Sequence, residues 1–88
     1  MTSKVEVVLP TEHGLHARPA TKFVETASRF ASEITLAKNS QIADGKSVIE
    51  ILTLAAEKGA RLLITASGED AEEAVKALAE LVRSGFEI

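Results

Sequence analysis

Eighty-eight residues, 45% hydrophobic and 26% charged, suit one domain with a single modest core and leave no room for a separate catalytic domain with its own lid and cofactor cleft. Thirteen acidic residues against ten basic ones give a net charge of -3, which argues against a nucleic-acid partner, because binding a phosphate backbone needs clustered Lys and Arg. With no Cys the chain has no disulfide framework, no thiolate nucleophile and no thiolate metal site, and with three Phe as its only aromatic residues the core must be aliphatic.

Met1 to Lys4 lead straight into strand-like sequence without an apolar signal segment, and no apolar run approaches the ~20 residues of a membrane span. A soluble cytoplasmic protein with no membrane insertion is expected. Val5 to Leu9 is a β-branched stretch ended by Pro10, and Thr11-Glu12-His13-Gly14 has turn chemistry, so a strand and a loop are predicted. From Ala17 onward, Ala20, Phe23, Val24, Ala27 and Phe30 recur at helical steps, and Pro19 suits a first turn where its missing N–H costs nothing, which predicts a helix over Ala17 to Arg29. Glu33 to Lys38 alternates polar and apolar side chains, Asn39-Ser40 reads as a turn, and Gln41 to Asp44 is a short second arm, making a hairpin.

Ser47 with Glu50 three residues later is the capping-box pattern that satisfies orphan amides at a helix start. This second helix is expected to run to about Lys58, where Gly59 stops it. Arg61 to Ala66 is β-rich, Ser67-Gly68 is a turn, and Asp70 with Glu73 is expected to cap a third helix that ends at Gly85. Ala74, Val75, Leu78, Leu81 and Val82 share its apolar face. The order strand, helix, hairpin, helix, strand, helix describes one α+β domain over residues 1–88, in which amphipathic helices cover a sheet face.

The informative stretch is Gly14-Leu15-His16-Ala17-Arg18-Pro19-Ala20. It places an imidazole at or beside a helix N-terminus, where unpaired N–H groups and the helix dipole favour an anion. A phosphoryl group on a ring nitrogen of His16 would sit in that field, with the Arg18 guanidinium near enough in sequence to neutralise its oxygens. Imidazole suits transfer because its neutral nitrogen is nucleophilic near pH 7 and the phosphoramidate gives the group up again. A plainer alternative, that His16 only caps the helix and Arg18 is solvated, remains open on chemistry alone.

The same stretch resembles the phosphorylation-site signature of HPr, the histidine-containing phosphocarrier family of the bacterial phosphoenolpyruvate:sugar phosphotransferase system. The resemblance extends to Gly45-Lys46-Ser47 with the apolar residues after it, the Lys58-Gly59 helix end, and Ser67-Gly68-Glu69-Asp70. It implies an HPr-like open-faced β-sandwich, a four-stranded antiparallel sheet with three helices on one face in the order β-α-β-β-α-β-α. It also implies that His16 is phosphorylated on Nδ1 by enzyme I, drawing on phosphoenolpyruvate, and passes the group to EIIA domains of sugar permeases, with Arg18 supporting the phosphoryl group. Such a protein is a phosphohistidine intermediate without catalytic turnover of its own and needs no cofactor. No Gly-rich phosphate loop with Lys and no Ser, His and Asp arrangement argues otherwise.

Helix two is apolar nearly all round, with Val48, Ile49, Ile51, Leu52, Leu54, Ala55 and Ala56, so part of it must be exposed. The resemblance makes Val48, Ile49 and Leu52, with Ala17 and Thr21 of the first helix, the surface that meets enzyme I and EIIA. Ser47 has a sufficient role as helix cap. The resemblance adds a regulatory phosphoserine there, placed by an HPr kinase/phosphorylase and read by a transcriptional regulator, although the charge of Glu50 would repel an added phosphate.

His13 reads as a loop histidine that departs from the small polar residue of many relatives, and no metal site is expected. Glu69-Asp70-Glu72-Glu73 reads as the acidic first turn of the third helix. Ser47-Val48-Ile49 and Ser84-Gly85-Phe86-Glu87 look like the NPr branch, a similar carrier in nitrogen-related regulation. That branch and a regulatory binding module docking through helix two are the alternatives, and a monomer is expected, since a carrier shows one face to successive partners.

Overall fold

In a computed structural model that describes residues 1–88, alternation of apolar and polar side chains builds four strands: β1 (Thr2–Val8), β2 (Glu33–Lys38), β3 (Gln41–Asp44) and β4 (Arg61–Ser67). They form one antiparallel sheet in the order β1-β4-β2-β3, with Val5 opposite Ile64, Ile64 opposite Leu36, and Leu36 opposite Ala43. Three helices, α1 (Ala17–Ala27), α2 (Val48–Thr53) and α3 (Ala71–Arg83), bury Ala20, Phe23, Ile51, Leu78 and Val82 with Val7, Leu36, Leu62 and Ile64 in one continuous core. The opposite sheet face is open to solvent. Across it run Glu6, Leu63, Ala37 and Ile42, one residue from each strand, and beside them Lys4, Thr65, Thr35 and Asp44. This is the open-faced α+β sandwich, with the expected element order.

Several boundaries differ from the sequence reading. The first strand begins at Thr2 and ends at Val8, one residue before Leu9, whose N–H and C=O pair with Ala60 and Gly59 of a loop. The first helix ends at Ala27 because the next N–H groups tighten into i→i-3 bonds, Arg29 to Thr26 and Phe30 to Ala27. Phe30 therefore packs half-buried from beyond the helix end.

The second helix stops at Thr53, far short of Lys58. Its terminator is Ala55, at φ 49°, a left-handed conformation that a residue with a Cβ adopts at a cost of about 1–2 kcal/mol. Gly59, at φ 89°, instead serves the turn that leads into β4. At the other end, Ser47 Oγ accepts the Glu50 N–H at 3.2 Å as a cap should. The Glu50 carboxylate does not close a capping box onto Ser47; it accepts the Asp44 N–H at 2.9 Å, while the Ser47 N–H donates to the Asp44 carbonyl.

Asp70 holds the N-cap position of α3, but its side chain makes no cap bond. Its carboxylate instead accepts the backbone N–H groups of Ala31 and Ser32 and the Ser32 hydroxyl.

Candidate functional site

His16 is placed by its two neighbours. Leu15 is buried in the core and its N–H donates to the Ala56 carbonyl at 3.0 Å, while Pro19 is buried in the first turn of α1. Between them His16 is exposed, extended at φ -92° and ψ -166°, with its carbonyl accepting the Ala20 N–H as the N-cap of α1. The imidazole makes no cap bond to the helix.

The loop before it leaves no freedom at Gly14. That residue sits at φ 69°, and a Cβ there would lie 2.4 Å from the Ala56 carbonyl oxygen. Thr11 closes the same loop, donating its hydroxyl to the Gly14 carbonyl at 2.9 Å and accepting the Gly14 N–H at 3.0 Å. An ion pair of Lys58 with Glu12 at 3.1 Å adds a surface tie of small energetic weight.

A helix leaves its first amides unpaired, and in α1 the N–H groups of Ala17 and Arg18 have no partner in the chain, while Pro19 has none to offer. These donors, the positive end of the α1 dipole and the exposed Arg18 guanidinium, which pairs with no carboxylate, make the surroundings of His16 favourable to an anion. His16, Arg18, Thr11, Thr21 and Lys22 line one open concavity of about 580 Å³. The Thr21 hydroxyl is turned back onto the Ala17 carbonyl at 2.8 Å.

The apolar residues singled out on the second helix divide as their exposure requires. Ile51 and Leu54 are buried, Val48 is half-buried, and Ile49 and Leu52 are 77% and 37% exposed. Because α1 and α2 pack against each other, Ile49 and Leu52 share the helical layer with Ala17, His16 and Thr21. His13 lies beside His16, ring centroids 6.3 Å apart in an edge-on arrangement. No three His, Cys, Asp or Glu side chains converge to hold a metal ion, and no helix is long and apolar enough to cross a membrane. Glu72 and Glu73 sit in the first turn of α3, where they complement its dipole.

Two contributors to the concavity have no motif of their own. Lys22 is readable only as the residue four positions after Arg18, on the same helix side, and the wall formed by Gly85, Phe86 and Glu87 depends on a tertiary contact.

A four-stranded sheet backed by three helices, with an exposed histidine at a helix N-terminus, is the architecture of the small phosphocarrier domains whose solved structures it matches. The family described as "PTS HPr component phosphorylation site" matches residues 3–84. The phosphocarrier protein HPr of Borreliella burgdorferi is 43% identical over 81 residues, covering 92% of this chain and 94% of that protein. The crystal structure of HPr-C-His from Thermoanaerobacter tengcongensis superposes with a TM-score of 0.93 at 40% identity, over 98% of this chain and 97% of that one. The multiphosphoryl transfer protein of Salmonella typhimurium is 45% identical over 84 residues, 92% of this chain but only 22% of that much longer protein. The chain belongs to the HPr family of the phosphotransferase system.

Proposed function

We propose that this chain is a phosphocarrier of the sugar phosphotransferase system whose acceptor atom is Nδ1 of His16. In the first transfer that nitrogen attacks the phosphorus held on enzyme I. A P–N bond forms on His16, and the bond to the donor breaks with its electron pair returning to the donor. The second transfer, to an EIIA domain, repeats this with His16 as leaving group. The observation that carries the reading is an exposed His16 imidazole sharing one concavity with Arg18, beside the free Ala17 and Arg18 amides.

Arg18 is assigned to the phosphoryl oxygens, where a guanidinium makes strong charge-assisted hydrogen bonds. Ala17, Thr21, Val48, Ile49 and Leu52 are assigned to the docking surface shared by enzyme I and EIIA. The chain is assigned the role of a phosphohistidine intermediate that passes the group on without catalytic turnover of its own. A single domain, working as a monomer in the cytoplasm, completes the proposal.

Ser47 is proposed as a second, regulatory phosphoryl acceptor for an HPr kinase/phosphorylase, whose product a transcriptional regulator would read. Glu50 and Asp44 set a charge cost on that step. The Ser47-Val48-Ile49 sequence favours a second reading, in which the EIIA partner belongs to the nitrogen-related branch.

Intact-mass spectrometry after incubation with phosphoenolpyruvate and enzyme I tests the assignment. An acid-labile phosphoryl adduct on wild type and none on His16→Ala is expected. An adduct surviving in His16→Ala, or none on wild type with an enzyme I from the same organism, overturns it.

A further inference from the structure

We propose that Lys22 is a second phosphoryl-binding cation, engaged by the C-terminal segment until His16 is phosphorylated; this rests on the reading of His16 as acceptor. Lys22 lies on α1 four residues after Arg18, so the two side chains share a helix side, and both line the concavity that contains His16. Six residues of helix place the Lys22 backbone about 9 Å along the axis from His16. Helical side chains lean toward the helix N-terminus, so the Lys22 stem covers part of that separation and a phosphoryl group projecting from the His16 ring covers the rest.

The ammonium now donates to the backbone oxygen of Phe86 at 3.2 Å and, weakly, to that of Ile88 at 3.5 Å. An ammonium carries three donors, so one N–H is uncommitted. The Lys22 ammonium is ionised in either pairing, but a phosphoryl dianion attracts it with full opposite charge where the Phe86 carbonyl offers only a neutral dipole. Phosphorylation of His16 therefore draws Lys22 off these oxygens and onto the phosphoryl group.

The same charge acts on the wall opposite. Glu87 is the one carboxylate lining the concavity, and a dianion on His16 repels it. Phe86 stays buried in the core, so the part released is Glu87 and Ile88. The inference thus joins a binding role for Lys22 to a local motion that reports the phosphorylation state.

The test compares wild type, Lys22→Met and Lys22→Arg, each phosphorylated by phosphoenolpyruvate and enzyme I at a fixed ratio of phosphoenolpyruvate to pyruvate. Lys22 is exposed, and thermal unfolding checks that each variant folds. The equilibrium ratio of phosphorylated to free protein should fall about fivefold in Lys22→Met, the order of one exposed charge contact, and recover in Lys22→Arg. The amide resonances of Glu87 and Ile88 should shift on phosphorylation of wild type and should already be displaced in unphosphorylated Lys22→Met. A Lys22→Met protein that holds the phosphoryl group as wild type does, or Glu87 and Ile88 amides unmoved by phosphorylation, overturns the role of Lys22 and leaves His16 as acceptor. A wild type that takes no phosphoryl group at all overturns both.

Discussion

The Asp70 carboxylate accepts the backbone N–H of Ser32 at 3.0 Å, and the hydroxyl of the same Ser32, which is only 1% exposed, donates to it as well. With the Ala31 N–H at 2.8 Å, this fastens the start of α3 to the segment entering β2, 38 residues earlier. The Ser32 hydroxyl first, and then the Ala31 N–H, hold the Asp70 carboxyl below its ordinary value of 3.8.

A carboxyl depressed in the folded state favours folding when ionised. That contribution is complete above the unfolded value and disappears as pH falls through the folded one. Urea midpoints measured from about pH 5 down towards pH 2 should therefore fall in wild type, and should fall less in Asp70→Asn, which starts from a lower midpoint at pH 7. Equal slopes in the two proteins would remove Asp70 from the account.

Gly14→Ala combines a left-handed backbone with a Cβ 2.4 Å from the Ala56 oxygen. A loss of about 2 kcal/mol or more is expected by chemical denaturation, together with slower phosphorylation of His16, because the loop that sets the imidazole must shift.

Ile49, 77% exposed, contributes little to the core. Ile49→Ala should leave stability within about 0.5 kcal/mol of wild type while raising the KM of enzyme I for this protein about tenfold. A normal KM would move the docking surface elsewhere.

Ser47→Ala removes the acceptor of the Glu50 N–H and should cost about 1 kcal/mol in thermal unfolding. Purified HPr kinase/phosphorylase with ATP should add phosphate to wild type more slowly than to an HPr with a neutral residue at the place of Glu50. No addition at all while a control HPr is modified would reduce Ser47 to a cap.

Ala55→Gly relieves the left-handed strain of about 1–2 kcal/mol and adds about 0.5–1 kcal/mol of unfolded-state freedom. A net gain of about 0.5 kcal/mol should be visible as a higher urea midpoint.

Features set by neighbouring residues were legible before the structure. Asn39-Ser40 turns the hairpin, with Lys38 opposite Gln41 and Asn39 at φ 55°, because Asn tolerates that conformation. Ser47 announces its helix through a contact only three residues long. His16 and Arg18 stood out because a compact motif carries their chemistry.

What was hidden depends on distant chain. α2 ends at Thr53 ahead of Ala55, a residue with no local signal for positive φ, and the chain beyond it is tied to a distant segment by the Leu15 N–H donating to the Ala56 carbonyl. Asp70 looked like a cap because a cap is the nearest use for it, yet its partners are Ala31 and Ser32. Lys22 and the Gly85–Glu87 wall meet only once α1 and the C-terminal segment are packed together.

The uncovered face of the sheet has a practical consequence. Thr35 and Thr65 stand side by side at its centre, on the side away from the helical layer that carries His16, Ile49 and Leu52. A fluorophore or a surface tether attached through a Cys introduced at Thr35 would be the chain's only thiol. Attachment there leaves the helical layer unobstructed, so one immobilised molecule can be watched through successive encounters with donor and acceptor.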